Sequence, residues 1–409
     1  MVANDEKWGL EINRNPEGSL YVWCVDIYRN GKHFREIEHN NRALAVKLAS
    51  SVIEKESAGL LKGVDCPTPD QFRGLILGLA VGDVVGAPVE KASVEDTRRY
   101  IDEHVVPGKY SDKLRSTFEG LPFGQYTDDT QLARELLISL VEKEGSFHPE
   151  DYAARIARMF EEGTIVGSGG TTRRAAEKLI EGTSWEESGD TKTAGNGSVM
   201  RVAPIGMLGN ARAALQQSKI THNHPMALAA SAFLADMVHQ ILYESHVKSP
   251  LQMLQYVSVT LYSDFISSYP KNPSFQKISD AGSLLAEYIE AGKSTEEVLD
   301  FVLGLQDETN WEGISPYALS STLWAAYSFV TCPDDFGKLL ETALWPAGDV
   351  DTIAAMAGAM WGARNGSEAI PASLRSVVND NGLWGEEDLT NLADILHYHI
   401  ISTKARYGE

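Results

Sequence analysis

Three cysteines in 409 residues, Cys24, Cys66 and Cys332, are too few and too scattered for a disulfide framework, and none forms a C-x-x-C pair that would bind zinc. Positive charge is also scarce. Against 57 Asp and Glu stand 36 Lys and Arg, a formal net charge of −21. A chain this acidic repels phosphate backbones and anionic lipid, which argues against nucleic-acid and membrane-surface partners. Long apolar runs are missing too: Gly74–Val89 and Tyr317–Val330 are short or broken by Asp83 and serines, so no bilayer span is expected. The first residues, Met1 to Lys7, lack the basic-then-apolar order of a secretory signal. With so little cysteine, these absences lead to the expectation of a cytoplasmic protein. What is abundant is core-forming material, 43% of the chain being hydrophobic.

Two kinds of sequence follow one another. From Trp8 to Phe34 the pattern is extended: Trp8-Gly9-Leu10-Glu11-Ile12, then Leu20 to Tyr28, rich in aromatic and β-branched residues. Asn30-Gly31 is a tight-hairpin signal. A helical pattern with Ala43, Val46, Leu48 and Val52 apolar comes next. Residues 1–62 therefore read as a small α+β (β-β-β-α) module, and 63–69, with Pro67 and Pro69, as a linker. Trp8, Tyr21, Trp23, Tyr28 and Phe34 make the module unusually aromatic, so it is expected to bind a protein partner, although alternating positions serve equally to build its own core. From residue 70 to 409 the spacing is helical throughout, as in Gln131–Lys143 with Leu132, Leu136, Leu140 and Val141 on one face. This long part reads as one all-α domain.

Two acidic clusters each stand at a predicted helix start. Thr127-Asp128-Asp129-Thr130 in isolation is an N-cap with aspartates in the first turn, where the helix dipole favours anions. Gly348-Asp349-Val350-Asp351-Thr352 repeats the arrangement before an Ala/Gly-rich helix. Together they offer four carboxylates and flanking hydroxyls, an all-oxygen set that suits Mg²⁺ or Mn²⁺ and not zinc or copper. Glycines at 74, 78, 82 and 86 recur every fourth residue, each costing ~1 kcal/mol in a helix interior. Such a row predicts close approach of another backbone, best supplied by Ala355, Gly358, Ala359 and Gly362. Glu90, just past the row, is either a surface residue or one more carboxylate of the metal site. Gly167 to Thr172 and Gly195 to Arg201 are glycine-rich turns able to bring backbone N–H groups to a diphosphate, and neither contains the Gly-Lys-Ser/Thr of a Walker A loop. His222 and His224 are metal ligands or ordinary helix-start residues.

In order along the chain, Gly82-Asp83-Val84-Val85-Gly86-Ala87-Pro88-Val89-Glu90, Thr127 to Thr130, Gly167 to Gly170, Gly195 to Arg201, His222 and Gly348 to Thr352 resemble the ADP-ribosylglycohydrolase family over roughly residues 70–380. The resemblance implies a compact orthogonal helical fold with two Mg²⁺ or Mn²⁺ ions in a central cleft. It implies ion ligation by Thr127, Asp128, Asp129, Asp349, Asp351 and Thr352. It places Gly167, Gly169, Gly170, Asn196, Gly197, Ser198 and His222 around ADP-ribose. The expected reaction is hydrolysis of the bond joining ADP-ribose to a protein side chain, arginine before serine, with Glu90, Asp128 or Asp351 as general base. Many relatives have a second glycine where this chain has Ala347. Some similar bacterial proteins are immunity proteins, which leaves a second expectation: the N-terminal module occludes an ADP-ribosylating toxin.

Overall fold

The computed structural model describes residues 67–106, 108–109, 122–245, 248–265, 272–306 and 310–407, with the backbone of three strands before them. The chain divides into two compact units, Met1–Cys66 and Pro67–Glu409. In the first, β1 (Trp8–Arg14), β2 (Trp23–Arg29) and β3 (Lys32–His39) pair antiparallel in the order β1-β2-β3. Arg29 pairs with Lys32 across Asn30-Gly31. The helix expected around residues 43–56, and the aromatic side chains of the proposed docking surface, lie outside the described residues.

The second unit is helix after helix, and among its described residues no strand forms. Its first helix, Pro69–Gly86, is set by a capping box: Thr68 accepts from the Gln71 amide while the Gln71 side chain accepts from the Thr68 amide. It packs lengthwise on Val350–Asn365. The glycine row explains how closely. A Cβ added at Gly78 would overlap the carbonyl of Gly358, one at Gly82 that of Ala354, and one at Gly86 the backbone of Asp351. The expected partner face is thus found, with Ala354 and Asp351 extending it beyond the residues foreseen. At this separation, backbone dispersion contacts replace those that larger side chains would make.

The helix pair is also tied to the C-terminal helix Glu386–Tyr407. Arg73 makes a bidentate ion pair with Asp394 at 2.7 Å, and His397 bonds the carbonyl of Pro67 at 2.8 Å. By length and hydropathy Pro69–Val89 and Pro225–Glu244 do reach the scale of a bilayer span, contrary to the sequence expectation. Their most apolar windows are 89% and 83% buried within the unit, so their apolar surface serves its core.

Candidate active site

The glycine-row helix delivers Asp83 to the start of helix Asp128–Glu142. Asp83 is fully buried and accepts from the Thr127 amide (3.0 Å), the Thr127 hydroxyl (2.9 Å), the Thr130 amide (3.1 Å) and the Thr130 hydroxyl (2.6 Å). Capping of this helix therefore comes from another helix, and Thr127, expected to do it, makes no side-chain capping bond. The Asp128 amide donates to Val166 O at 2.8 Å, and the Val166 amide donates to Gln131 Oε1 at 2.8 Å, which brings the glycine-rich 167–170 turn alongside.

Backbone geometry fixes the second acidic turn. The Asp349 amide donates to Ile314 O (2.8 Å) and the Lys91 amide to Gly348 O (3.0 Å). Gly348 has φ +95°, and a Cβ there would overlap Ile314 O, so glycine is obligatory. Ala347 beside it is left-handed at φ +59°, a conformation that alanine adopts at a cost. Asn196 donates to Asp349 Oδ2 at 2.6 Å and to Ser321 Oγ at 3.1 Å, linking the second glycine-rich turn to the carboxylates.

Both acidic turns open on one cleft of about 380 Å³. Glu90, Thr127, Asp128, Asp129, Asp349, Asp351 and Thr352 line it together with Gly167, Gly169, Gly170, Asn196, Gly197 and His222. Ser198 does not: it is fully buried, with its hydroxyl against Ser218 (2.7 Å) and Ser231 (3.2 Å), so the side chain expected at the ligand belongs to the interior wall. His224 takes the plainer of its two roles, its Nδ1 accepting from the Met226 amide at the start of Pro225–Glu244. A Gly-Lys-Ser does occur at Gly292 to Ser294, but no glycine stands five residues before it, and Ser294 forms a capping box with Glu297.

Burying so many acids together is costly, and it favours their protonated forms. Burial, then the charges of Asp83 and Glu90, pushes the Asp128 carboxyl up to about 8. Burial pushes Asp349 up to about 7, against the Asn196 hydrogen bond and with Glu90 adding to the rise. Asp129 and Asp351 are raised well above the usual carboxylate range by the same burial and mutual repulsion.

The family model for ADP-ribosylglycohydrolase matches residues 67–405. The chain belongs to the ADP-ribosylglycohydrolase family. It is 27% identical to the ADP-ribosylarginine hydrolase Tri1 of Pseudomonas putida (74% of this chain, 72% of that one). To the ADP-ribosyl-[dinitrogen reductase] glycohydrolase of Rhodospirillum rubrum it is 27% identical (75% and 90%). To human ADP-ribosylhydrolase ARH3 it is 28% identical (80% and 93%). A solved structure described as an ADP-ribosylglycohydrolase-related protein complex matches at 27% identity and a TM-score of 0.55, covering 80% of this chain and 97% of that one.

The donor set of this ADP-ribosylglycohydrolase fits a divalent cation. One ligand oxygen each from Glu90, Asp349 and Asp351 lies within 4.8 Å of the others, and Asp129 Oδ1 is buried without a hydrogen-bond partner. A hard cation would satisfy the orphaned oxygen and displace the protons that repulsion otherwise retains. Sequence reasoning gave no role to three residues. Asp83, quoted in the motif that carries the resemblance but otherwise only a charge in an apolar run, organises Thr127 and Thr130. Lys91 bonds Glu90 Oε1 at 2.5 Å while its Nζ lies 5.2 Å over the Trp311 ring, and both Lys91 and Trp311 line the cleft. No motif announces Trp311, which sits in an irregular loop.

Proposed function

We propose that the chain hydrolyses the glycosidic bond between ADP-ribose and a protein arginine, assisted by two divalent cations, Mg²⁺ or Mn²⁺. The observation that carries this reading is the convergence of Glu90, Asp349 and Asp351 in a cleft shared with two glycine-rich turns and a buried histidine. ADP-ribose has the matching polarity. Its anionic diphosphate suits backbone N–H groups at Gly167 to Gly170, where helix Gly170–Ile180 begins without a side-chain cap. Its ribose hydroxyls suit the acidic end. Thr127, Asp128, Asp129, Asp349, Asp351 and Thr352 would hold the cations, which when bound orient ribose hydroxyls and supply positive charge. One of Glu90, Asp128 or Asp351 takes a proton from water as its oxygen joins the anomeric carbon. The carbon–nitrogen bond breaks, and the proton taken from water passes from the carboxyl group to the departing guanidine nitrogen, which regenerates the carboxylate.

A cationic acceptor suits this cleft on two counts. Acidic side chains line it, and the Trp311 ring already carries the Lys91 ammonium. Lys91 also reaches Glu90, so that ring stands at the carboxylate end, where the acceptor leaves. A guanidinium on an indole face gains about 1 kcal/mol, or roughly fivefold in affinity. The test offers the full chain ADP-ribosyl-arginine protein and, separately, ADP-ribosyl-serine peptide, each with EDTA or with Mg²⁺ or Mn²⁺. Cleavage of the arginine conjugate is expected only with metal, and Trp311→Ala should raise its KM about fivefold. Preferred cleavage of the serine conjugate would overturn the acceptor assignment, and full activity after chelation would overturn the metal assignment.

A further inference from the structure

His222 is held from behind by two residues that never reach the cleft. Arg201 is fully buried, and no acidic side chain hydrogen-bonds to it among the described residues. Its Nε donates to Gln217 Oε1 (3.1 Å), its Nη2 to Gln217 O (3.1 Å) and to Thr221 Oγ1 (2.8 Å), and its plane lies 5.4 Å over the Tyr152 ring. Thr221, also fully buried, places Oγ1 2.9 Å from His222 Nδ1. A guanidinium only donates, so one lone pair of the Thr221 hydroxyl is committed to Arg201. The hydroxyl has a single hydrogen, and its remaining neighbour in this network is His222 Nδ1. If Nδ1 carried a hydrogen, the Thr221 hydrogen would be buried without an acceptor, which costs about 1–3 kcal/mol.

We infer that Arg201 and Thr221 are positioning residues that lock His222 as the neutral tautomer with its hydrogen on Nε2, making it a fixed donor to an oxygen of the bound substrate. The Cδ2–Nε2 edge lies against Gly195 and the Cε1–Nε2 edge against Gly197. A Cβ at Gly197 would come within 2.7 Å of Cε1, so glycine there keeps room for the ring. Among the described residues Nε2 has no hydrogen-bonding protein partner, which leaves it for a ligand. Charge points the same way. The groups bearing on the ring are Arg201 and Arg174, which oppose protonation, and Asp190, which favours it; burial and Arg201 prevail and push the imidazole down to about 3. The histidine accordingly works as a permanent neutral donor and does not carry a proton through the reaction. Only the identity of the ligand rests on the ADP-ribosylglycohydrolase reading; the tautomer stands on the protein's own hydrogen bonds.

The experiment is nitrogen-15 NMR of the full chain labelled at histidine, with His222→Gln used to assign the signal. Nδ1 is expected as an unprotonated, pyridine-type nitrogen and Nε2 as protonated, unchanged between pH 5 and pH 8. Thr221→Val removes the hydroxyl at nearly constant volume and should mix the tautomers. It should raise the KM for an ADP-ribosyl-arginine substrate by about five- to tenfold, with kcat within about twofold. Thr221→Ser, which keeps the hydroxyl, should restore both readouts. A hydrogen on Nδ1 in the wild type, or an imidazolium forming between pH 5 and pH 8, would overturn the inference even if Thr221→Val failed to fold. If the tautomer is as expected and ADP-ribose does not bind, the proposed function fails and the inference does not.

Discussion

One part of the cleft lining, Thr127 to Asp129 and Asp349 to Thr352, presents carboxyl and hydroxyl side chains from two helix starts. The other part, Gly167 to Gly170 and Gly195 to Gly197 with His222, presents backbone and a neutral imidazole. The acidic part stores repulsion: every described aspartate there is raised above its ordinary range. It needs a scaffold to hold the charges and a counter-charge to relieve them. The glycine part stores little charge and depends on the absence of side chains. Damage to the first should therefore fall on chemistry, and damage to the second on binding.

The largest effect is expected from Asp128→Asn or Asp351→Asn, which keep shape and remove one charge. Turnover should fall on the order of 100- to 10,000-fold, with the thermal midpoint unchanged or raised as repulsion is relieved. A loss confined to KM would erase the contrast between the two parts. Next is Asp83→Ala, which leaves buried donors of Thr127 and Thr130 unpaired. It should cost about 2–4 kcal/mol in denaturant melts and lower kcat through misplacement of Asp128 and Asp129, although Asp83 is not a cleft-lining residue. Normal kcat in a folded Asp83→Ala protein would show that the acidic turn positions itself.

Titration sharpens the comparison further. Asp128 and Asp349 rise from 3.8 to about 8 and about 7, so in metal-free protein their protonated forms are favoured in the folded state. That stabilisation is complete below the unfolded value near 3.8 and is lost as pH rises through about 7 to 8. The metal-free melting temperature should fall between pH 5 and pH 8, and saturating Mn²⁺ should remove the decline. A pH-independent melt without metal would contradict the stored repulsion. The smallest effect is Ala347→Gly, which relieves a left-handed alanine at φ +59° and should raise stability by ~0.5–1 kcal/mol without altering kcat.

Much of the acidic part was legible in the sequence, because two Asp-rich helix starts and a glycine row are local patterns. The row even indicated its partner helix, since a repeated missing Cβ has few other uses. The limits were tertiary. Asp83 reads as one charge in an apolar run, and only folding brings it beneath Thr127 and Thr130. Ser198 shares a motif with Asn196 and Gly197 but turns inward, because its hydroxyl is satisfied by Ser218 and Ser231. Trp311 and Lys91 meet across more than two hundred residues, and no spacing rule anticipates such a pair.

The most direct test of the central claim, that the two acidic turns together hold the cations, is calorimetric titration of Mn²⁺ into the wild type, Asp128→Asn and Asp351→Asn. The wild type should bind, and each single substitution, though the two lie on different helices, should weaken or abolish the same binding event. Wild-type affinity and stoichiometry in both variants would contradict the account.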